Sequence, residues 1–144
     1  MKRIVVAIDS FKGCMSAVDL TEAITKGIRK AVPDCEVCKI PMADGGEGTV
    51  DVLTEVLGGT KIHCVVDGPL RNPVKASYGW IDSQKLAIIE MASASGLPLI
   101  PFAEGNVMRT TTYGTGQLIK DALLKGCRRI LLGIGGSATN DAGL

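Results

Sequence analysis

Short apolar runs alternate with amphipathic stretches through the first third of the chain. Residues 4–8, after Arg3, are apolar and mostly β-branched, so 3–8 reads as a buried strand. A polar loop follows over 9–15. Ser16, with Asp19 three residues on, has the form of a capping box. Leu20, Ala23, Ile24, Gly27, Ile28 and Ala31 then recur at helical spacing, and Pro33 marks the stop. Residues 36–40 read as a second, shorter strand. Residues 49–57 read as a helix ended by Gly58 and Gly59.

The pattern then changes. Residues 61–66, 74–80 and 86–90 are strand-like and leave little room for helices between them. Gly68, Pro69, Asn72 and Pro73 mark one turn, and Asp82-Ser83 marks the next. This stretch predicts an antiparallel meander attached to a βαβα opening. A helix is predicted over 117–125, closed by Gly126, then a strand over 129–133 that runs straight into a Gly-rich loop. The chain is α/β in class. It divides into a Rossmann-like or flavodoxin-like portion over 1–60 and the start of a second α/β portion over 61–144. Residues 140–144 offer no crossover helix to cover the last strand, so the chain reads as part of a longer one. A complete small domain with a ragged end is the alternative.

Composition narrows the function classes. At 144 residues, 46% apolar and 22% charged, the chain has the profile of a soluble globular domain. Sixteen Lys and Arg against fifteen Asp and Glu give a net charge of +1, which argues against nucleic acid or anionic membrane as the main partner. Aromatics at 3% offer no base-stacking surface. No apolar run approaches the ~18 residues of a membrane span. Asp9 ends the first apolar run well short of a signal-peptide core, so the chain reads as cytoplasmic. Five cysteines without a secretory signal argue for reduced thiols. Cys35 and Cys38 form a Cys-x-x-Cys pair, but with no second pair and a single histidine, His63, they read as structural. Glycine is the outlier, at 18 residues.

Those glycines concentrate in polar loops directly after predicted strands, where open α/β sheets place their ligands. The first loop holds Asp9, Ser10, Lys12 and Gly13. A carboxylate at a strand end suits a base or a metal-bound water, and Lys12 suits a phosphate oxygen. Plain turn chemistry by Asp9 and Ser10 is the other reading. The second loop carries Asp44, Gly45, Gly46, Glu47, Gly48 and Thr49, an acidic loop ahead of a helix. It suits magnesium or a polyhydroxy substrate, against simple helix-end electrostatics for Glu47. The third, from Gly133 through Gly135, Gly136 and Ser137 to Asn140 and Asp141, follows the general recipe for a backbone phosphate cradle. It lacks the Gly-Lys-Ser/Thr of a P-loop. Gly133, Gly135 and Ala138 fit a dinucleotide fingerprint formally, and Asn140 and Asp141 add oxygen ligands for a metal. A fourth, hydroxyl-rich stretch with Thr112, Gly114 and Gly116 precedes a helix and suits an anionic or nucleotide ligand, or a multiply capped helix start. His63 reads as packing or surface, Tyr78 and Trp80 as core or sheet face, and Asp67 with Arg71 as a local ion pair.

Five segments carry a resemblance: AIDSFKGCMSA at 7–17, PMADGGEGT at 41–49, MASASGLPLIP at 91–101, TTTYGTGQLI at 110–119 and GIGGSATNDAG at 133–143. In this order they resemble the type I glycerate kinases, and the motifs are long enough to be specific. Ile8, Cys14-Met15 and Ala142 depart from the usual pattern, and none of them removes a charged or phosphate-cradling residue. The resemblance implies the N-terminal part of a two-domain fold, three-layer α/β/α with a mostly parallel sheet, its site in the cleft between domains. It implies Mg2+-dependent transfer of the ATP γ-phosphoryl group to D-glycerate, giving 2-phosphoglycerate. Phosphoryl transfer depends mainly on positioning and charge stabilisation, which fits these residues. Asp9 is the first candidate for general base and Asp44 the second. Lys12 and the Gly135, Gly136 and Ser137 amides are expected to hold phosphate or carboxylate oxygens. Ser10, Gly45, Gly46, Glu47, Thr49 and Thr112 are assigned to substrate, Gly114 and Gly116 to nucleotide, and Asn140 and Asp141 to magnesium. An exposed sheet face suggests a homodimer. A dinucleotide-dependent oxidoreductase and a non-catalytic binding fragment are the alternatives.

Overall fold

The computed structural model describes residues 2–101, 103 and 106–142. The chain forms two compact units, Met1–Asp44 and Gly45–Leu144. Gly143, the last residue of the fifth motif, lies outside the described residues.

In the first unit, strands β1 (Arg3–Ile8) and β2 (Glu36–Pro41) pair in parallel, from Arg3 opposite Glu36 to Ile8 opposite Pro41. Parallel neighbours need a crossover, and helix α1 (Ala17–Ala31) supplies it by packing on both strands. The expected cap is present: Ser16 Oγ accepts from the Asp19 amide at 3.1 Å and donates to Asp19 Oδ2 at 2.7 Å. Ala17, Leu20, Thr21 and Thr25 form the buried stripe of α1, with Val6 buried on β1. Both threonines satisfy their buried hydroxyls on carbonyls one turn back, at 2.7 Å. Cys35 precedes β2 and Cys38 lies within it.

The second unit is built on a four-stranded sheet in the order β3 (Thr60–Asp67), β4 (Pro73–Ile81), β5 (Leu86–Glu90) and β6 (Arg129–Gly133). The expected meander is there, since β3–β4 and β4–β5 are antiparallel; β5–β6 is parallel. All five residues of β5 are buried, because both faces of the sheet are covered. On one face Tyr78, Ala87 and Ile89 pack with Leu118, Ala122 and Cys127. On the other, Ile81, Leu86 and Ile88 pack with Val50 of helix α2 (Thr49–Val56). Helix, sheet and helix thus make the three expected layers. β6 is one of the two outer strands of this sheet, and Ile130, Leu131 and Leu132 are exposed on it. Among the described residues no helix is long and apolar enough to cross a membrane.

Two elements differ from the sequence reading. A short helix, α3 (Ala92–Ser95), follows β5 directly, with a 3-10 turn at Leu97–Leu99 after it. The helix predicted from residue 117 begins a turn earlier, as α4 (Tyr113–Leu124). Gly114 belongs to that first turn because the helix must lie close to β3. A Cβ there would sit 1.8 Å from the Asp67 carbonyl oxygen. Intrinsic preference against helical glycine is overridden by packing.

Candidate functional site

Within the first unit, the loop after β1 gathers three of the predicted residues. Asp9 follows the last residue of β1, and its Oδ1 accepts the Ser10 amide at 2.7 Å. Lys12 Nζ lies 3.7 Å from Asp9 Oδ2 and 3.2 Å from Asp44 Oδ2. Residues 11–15 form a tight turn in which the Phe11 amide donates to the Met15 carbonyl at 3.0 Å. The Lys12 side chain is half exposed and Asp44 slightly more so, which leaves one cation between two carboxylates at the surface.

Within the second unit, loop 45–48 and the loop after β6 meet through main chain. The Gly135 amide donates to the Gly45 carbonyl at 3.0 Å. A Cβ on Gly133 would lie 2.4 Å from Gly45 O, and one on Gly135 would lie 2.8 Å from the Gly46 nitrogen. Only glycine permits this approach. Thr49 is buried and closes loop 45–48, its Oγ1 accepting the Gly45 amide at 3.1 Å. Gly48 is the N-cap of α2 with φ of +91°, and Glu47 stands exposed beside it.

The loop after β6 is itself braced. Ala138 donates to Ser95 O at 2.9 Å, and Leu97 donates to Gly136 O at 3.0 Å. Ser137 Oγ and Thr139 Oγ1 share a hydrogen bond at 2.8 Å. Among the described residues no helix opens after Gly133, Gly135 and Ala138, so the structural context of a dinucleotide fingerprint is not met.

Thr112 and Asp141 are brought together. Asp141 Oδ2 accepts the Thr112 amide at 2.7 Å, and its Oδ1 accepts the Thr112 hydroxyl at 3.0 Å. Asn140 is exposed next to it. Gly114 is buried and Gly116 exposed, with the Gly116 amide donating to Thr112 O. Among the described residues no ion pair joins Asp67 and Arg71. The Arg71 guanidinium lies 5.8 Å from the Tyr113 ring centroid instead.

Glu90 is the residue that sequence reading missed. It ends β5 at 8% exposure, and its Oε2 accepts the Val50 amide at 3.0 Å. Burial pushes its carboxyl above the usual range, the Val50 and Gly48 amides pull it back, and Asp51 and Glu47 push it up again. The available signal was a charged residue closing an otherwise apolar strand.

The same motifs bear on known proteins. A family model described as the glycerate kinase family matches residues 4–144. The chain belongs to the glycerate kinase family. A glycerate kinase of Halalkalibacterium halodurans is 52% identical over 143 residues, which is 99% of this chain and 38% of the relative. A glycerate 2-kinase of Escherichia coli is 48% identical over 141 residues, 98% of this chain and 37% of that protein. A crystal structure described as a candidate glycerate kinase 2 from Salmonella typhimurium LT2 matches with a TM-score of 0.78 and 47% identity. That match covers 99% of this chain and 39% of the other. The chain therefore spans a little over a third of the length of these family members.

Magnesium, which the family reading brings with it, can be tested against the donor set. Among the described residues no group of three or more His, Cys, Asp or Glu is assembled to hold a metal ion. Asp141 with Asn140 fits a hard cation that takes one or two protein oxygens and completes its shell with phosphate and water.

Proposed function

We propose that the chain is part of a kinase that transfers the γ-phosphoryl group of ATP to a hydroxyl of D-glycerate, giving 2-phosphoglycerate in the cytoplasm. The carrying observation is the Gly45–Gly135 contact: it fastens the acidic loop to the glycine-rich loop, which together suit a hydroxyl acceptor and phosphate. Transfer of this kind asks the protein for alignment and charge, and little covalent work. In the second unit Gly46 and Glu47 would orient the acceptor; in the first, Ser10 would contact it. Asp9 would take the hydroxyl proton, its own oxygen held by the Ser10 amide. Lys12 would meet a phosphate or carboxylate oxygen as a point charge. The Gly135 amide is engaged by Gly45, so the phosphate cradle falls to the Gly136 and Ser137 amides. Thr112 would fix the Asp141 carboxylate, and Asp141 with Asn140 would hold magnesium. When bound, that ion would neutralise charge on the phosphate oxygens.

Phosphorus NMR tests the reading on this chain and on a chain extended to the relatives' length, each with Mg-ATP and D-glycerate. A new phosphomonoester is expected as ATP disappears. A phosphorus doublet, from coupling to a single carbon-bound proton, identifies the 2-position; a triplet identifies the 3-position. No product from the extended chain would sink the kinase reading.

A further inference from the structure

The start of α2 has the form of an anion site: a glycine-rich loop, a left-handed glycine N-cap and main-chain amides at a helix N-terminus. It is already filled by the protein's own carboxylate. The Glu90 carboxylate is buried at the end of β5, its Oε2 accepts the Val50 amide at 3.0 Å, and the Gly48 backbone also favours its charged form. Its full charge more than offsets the roughly half charge of a helix N-terminus. Glu47 and Asp51 add negative charge around it, the latter paired with Lys61. Next along the sheet, Met91 donates to the Gly133 carbonyl at 2.8 Å, so the residue after Glu90 is tied to the end of β6.

We propose that Glu90 is a positioning residue: its carboxylate occupies the α2 N-terminus, fixes loop 45–48 and keeps phosphate off that helix end. Phosphate is thereby left to the Gly136 and Ser137 amides. The proposal deepens the phosphate reading given above and rests on it for this last step.

The test uses the 15N-labelled 144-residue chain, its Glu90→Gln and Glu90→Ala variants, and inorganic phosphate as the probe. In the unaltered chain the Gly48 and Val50 amides should exchange slowly with solvent. Their shifts should move together with pH, at a midpoint above the ordinary glutamate value of about 4.3. Glu90→Gln keeps an acceptor, so slow exchange should persist while the pH response disappears. Glu90→Ala should speed exchange at both amides by at least about tenfold. It should also let phosphate perturb them. In the unaltered chain phosphate should perturb Gly136 and Ser137 and leave Gly48 and Val50 unmoved. The proposal is overturned by any of three results: phosphate shifts at Gly48 or Val50 in the unaltered chain, a Glu90→Gln titration like the parent's, or unchanged exchange in Glu90→Ala. If Glu90→Ala does not fold, the other two proteins still decide. If phosphate moves neither set of amides, the cradle reading fails, while exchange and titration still judge the Glu90 lock.

Discussion

The Gly45 carbonyl accepts the Gly135 amide at 3.0 Å, and there is no room for a side chain on Gly133 or Gly135 where the two loops touch. Placing alanine at 135 drives a Cβ to within 2.8 Å of the Gly46 nitrogen, a main-chain atom that cannot rotate away. Gly135→Ala is expected to lower stability by about 1–3 kcal/mol. Denaturant unfolding checks this. A loss below about 0.5 kcal/mol would show that the loops separate easily.

Lys12 joins Asp9 and Asp44 through contacts of 3.7 and 3.2 Å at the surface. Exposed pairs of this kind contribute at most about 1 kcal/mol. Lys12→Met should therefore leave the melting temperature nearly unchanged. In the extended chain it should cut turnover by about 10²-fold. Asp9→Asn should cut turnover by about 10²-fold or more if Asp9 takes the hydroxyl proton. Near-normal turnover in that variant would pass the role of base to Asp44.

Tyr78, fully buried, donates its hydroxyl to Asp121 Oδ2 at 2.8 Å, and Cys64 reaches the same oxygen at 3.4 Å. Burial raises the Asp121 carboxyl, but hydrogen bonds from Lys125, Tyr78 and Cys64 outweigh it and hold the group below its ordinary value. Its contribution is thus present at neutral pH and is lost as pH falls below about 3.9. Burial, with Asp121 beside it, raises Tyr78, so that contribution is present below about pH 10 and fades above it. Asp121→Ala should cost about 1–3 kcal/mol at pH 7 by stranding the Tyr78 hydroxyl. Unfolding measured across pH should show a flatter acid limb in Asp121→Asn and a flatter alkaline limb in Tyr78→Phe.

Asp141 accepts both the amide and the hydroxyl of Thr112. In the extended chain, Asp141→Asn should raise the Mg2+ needed for half-maximal activity by more than about tenfold. Thr112→Val, which removes only the hydroxyl, should raise it by about tenfold or less. Magnesium titrations of activity measure both. Equal demand in all three proteins would take Asp141 out of the metal shell.

Much of this was legible in the chain because local rules and tertiary packing agree. Arg3–Ile8, Leu86–Glu90 and Arg129–Gly133 are strands with the bounds that their apolar runs predict, and Ser16 caps α1 as its spacing to Asp19 requires. What was hidden depends on contacts between distant residues. Glu90 lies forty positions from the amide it satisfies, and no local pattern announces such a partner. The early start of α4 was hidden because Gly114 serves the Asp67 backbone, a reason absent from any window around it. The three glycine-rich loops were visible as loops, since glycine and polar residues mark them, whereas Gly114 and Gly116 of the fourth stretch lie in the first turn of α4. The part each residue plays within them was not visible, because Gly135 and Gly136 are chemically alike while only Gly135 has its amide engaged by Gly45.

That junction has a consequence for how the chain can change over time. Loops 45–48 and 133–135 are joined by backbone atoms, so their junction makes no demand on the identity of Glu47, whereas Ser137 braces its own loop through Thr139. A substitution at Glu47 alters what its loop offers a ligand without loosening the backbone junction that holds it. At that position the frame and the recognition chemistry are inherited separately, and new acceptor preferences can be explored at the Glu47 side chain while the glycines stay fixed.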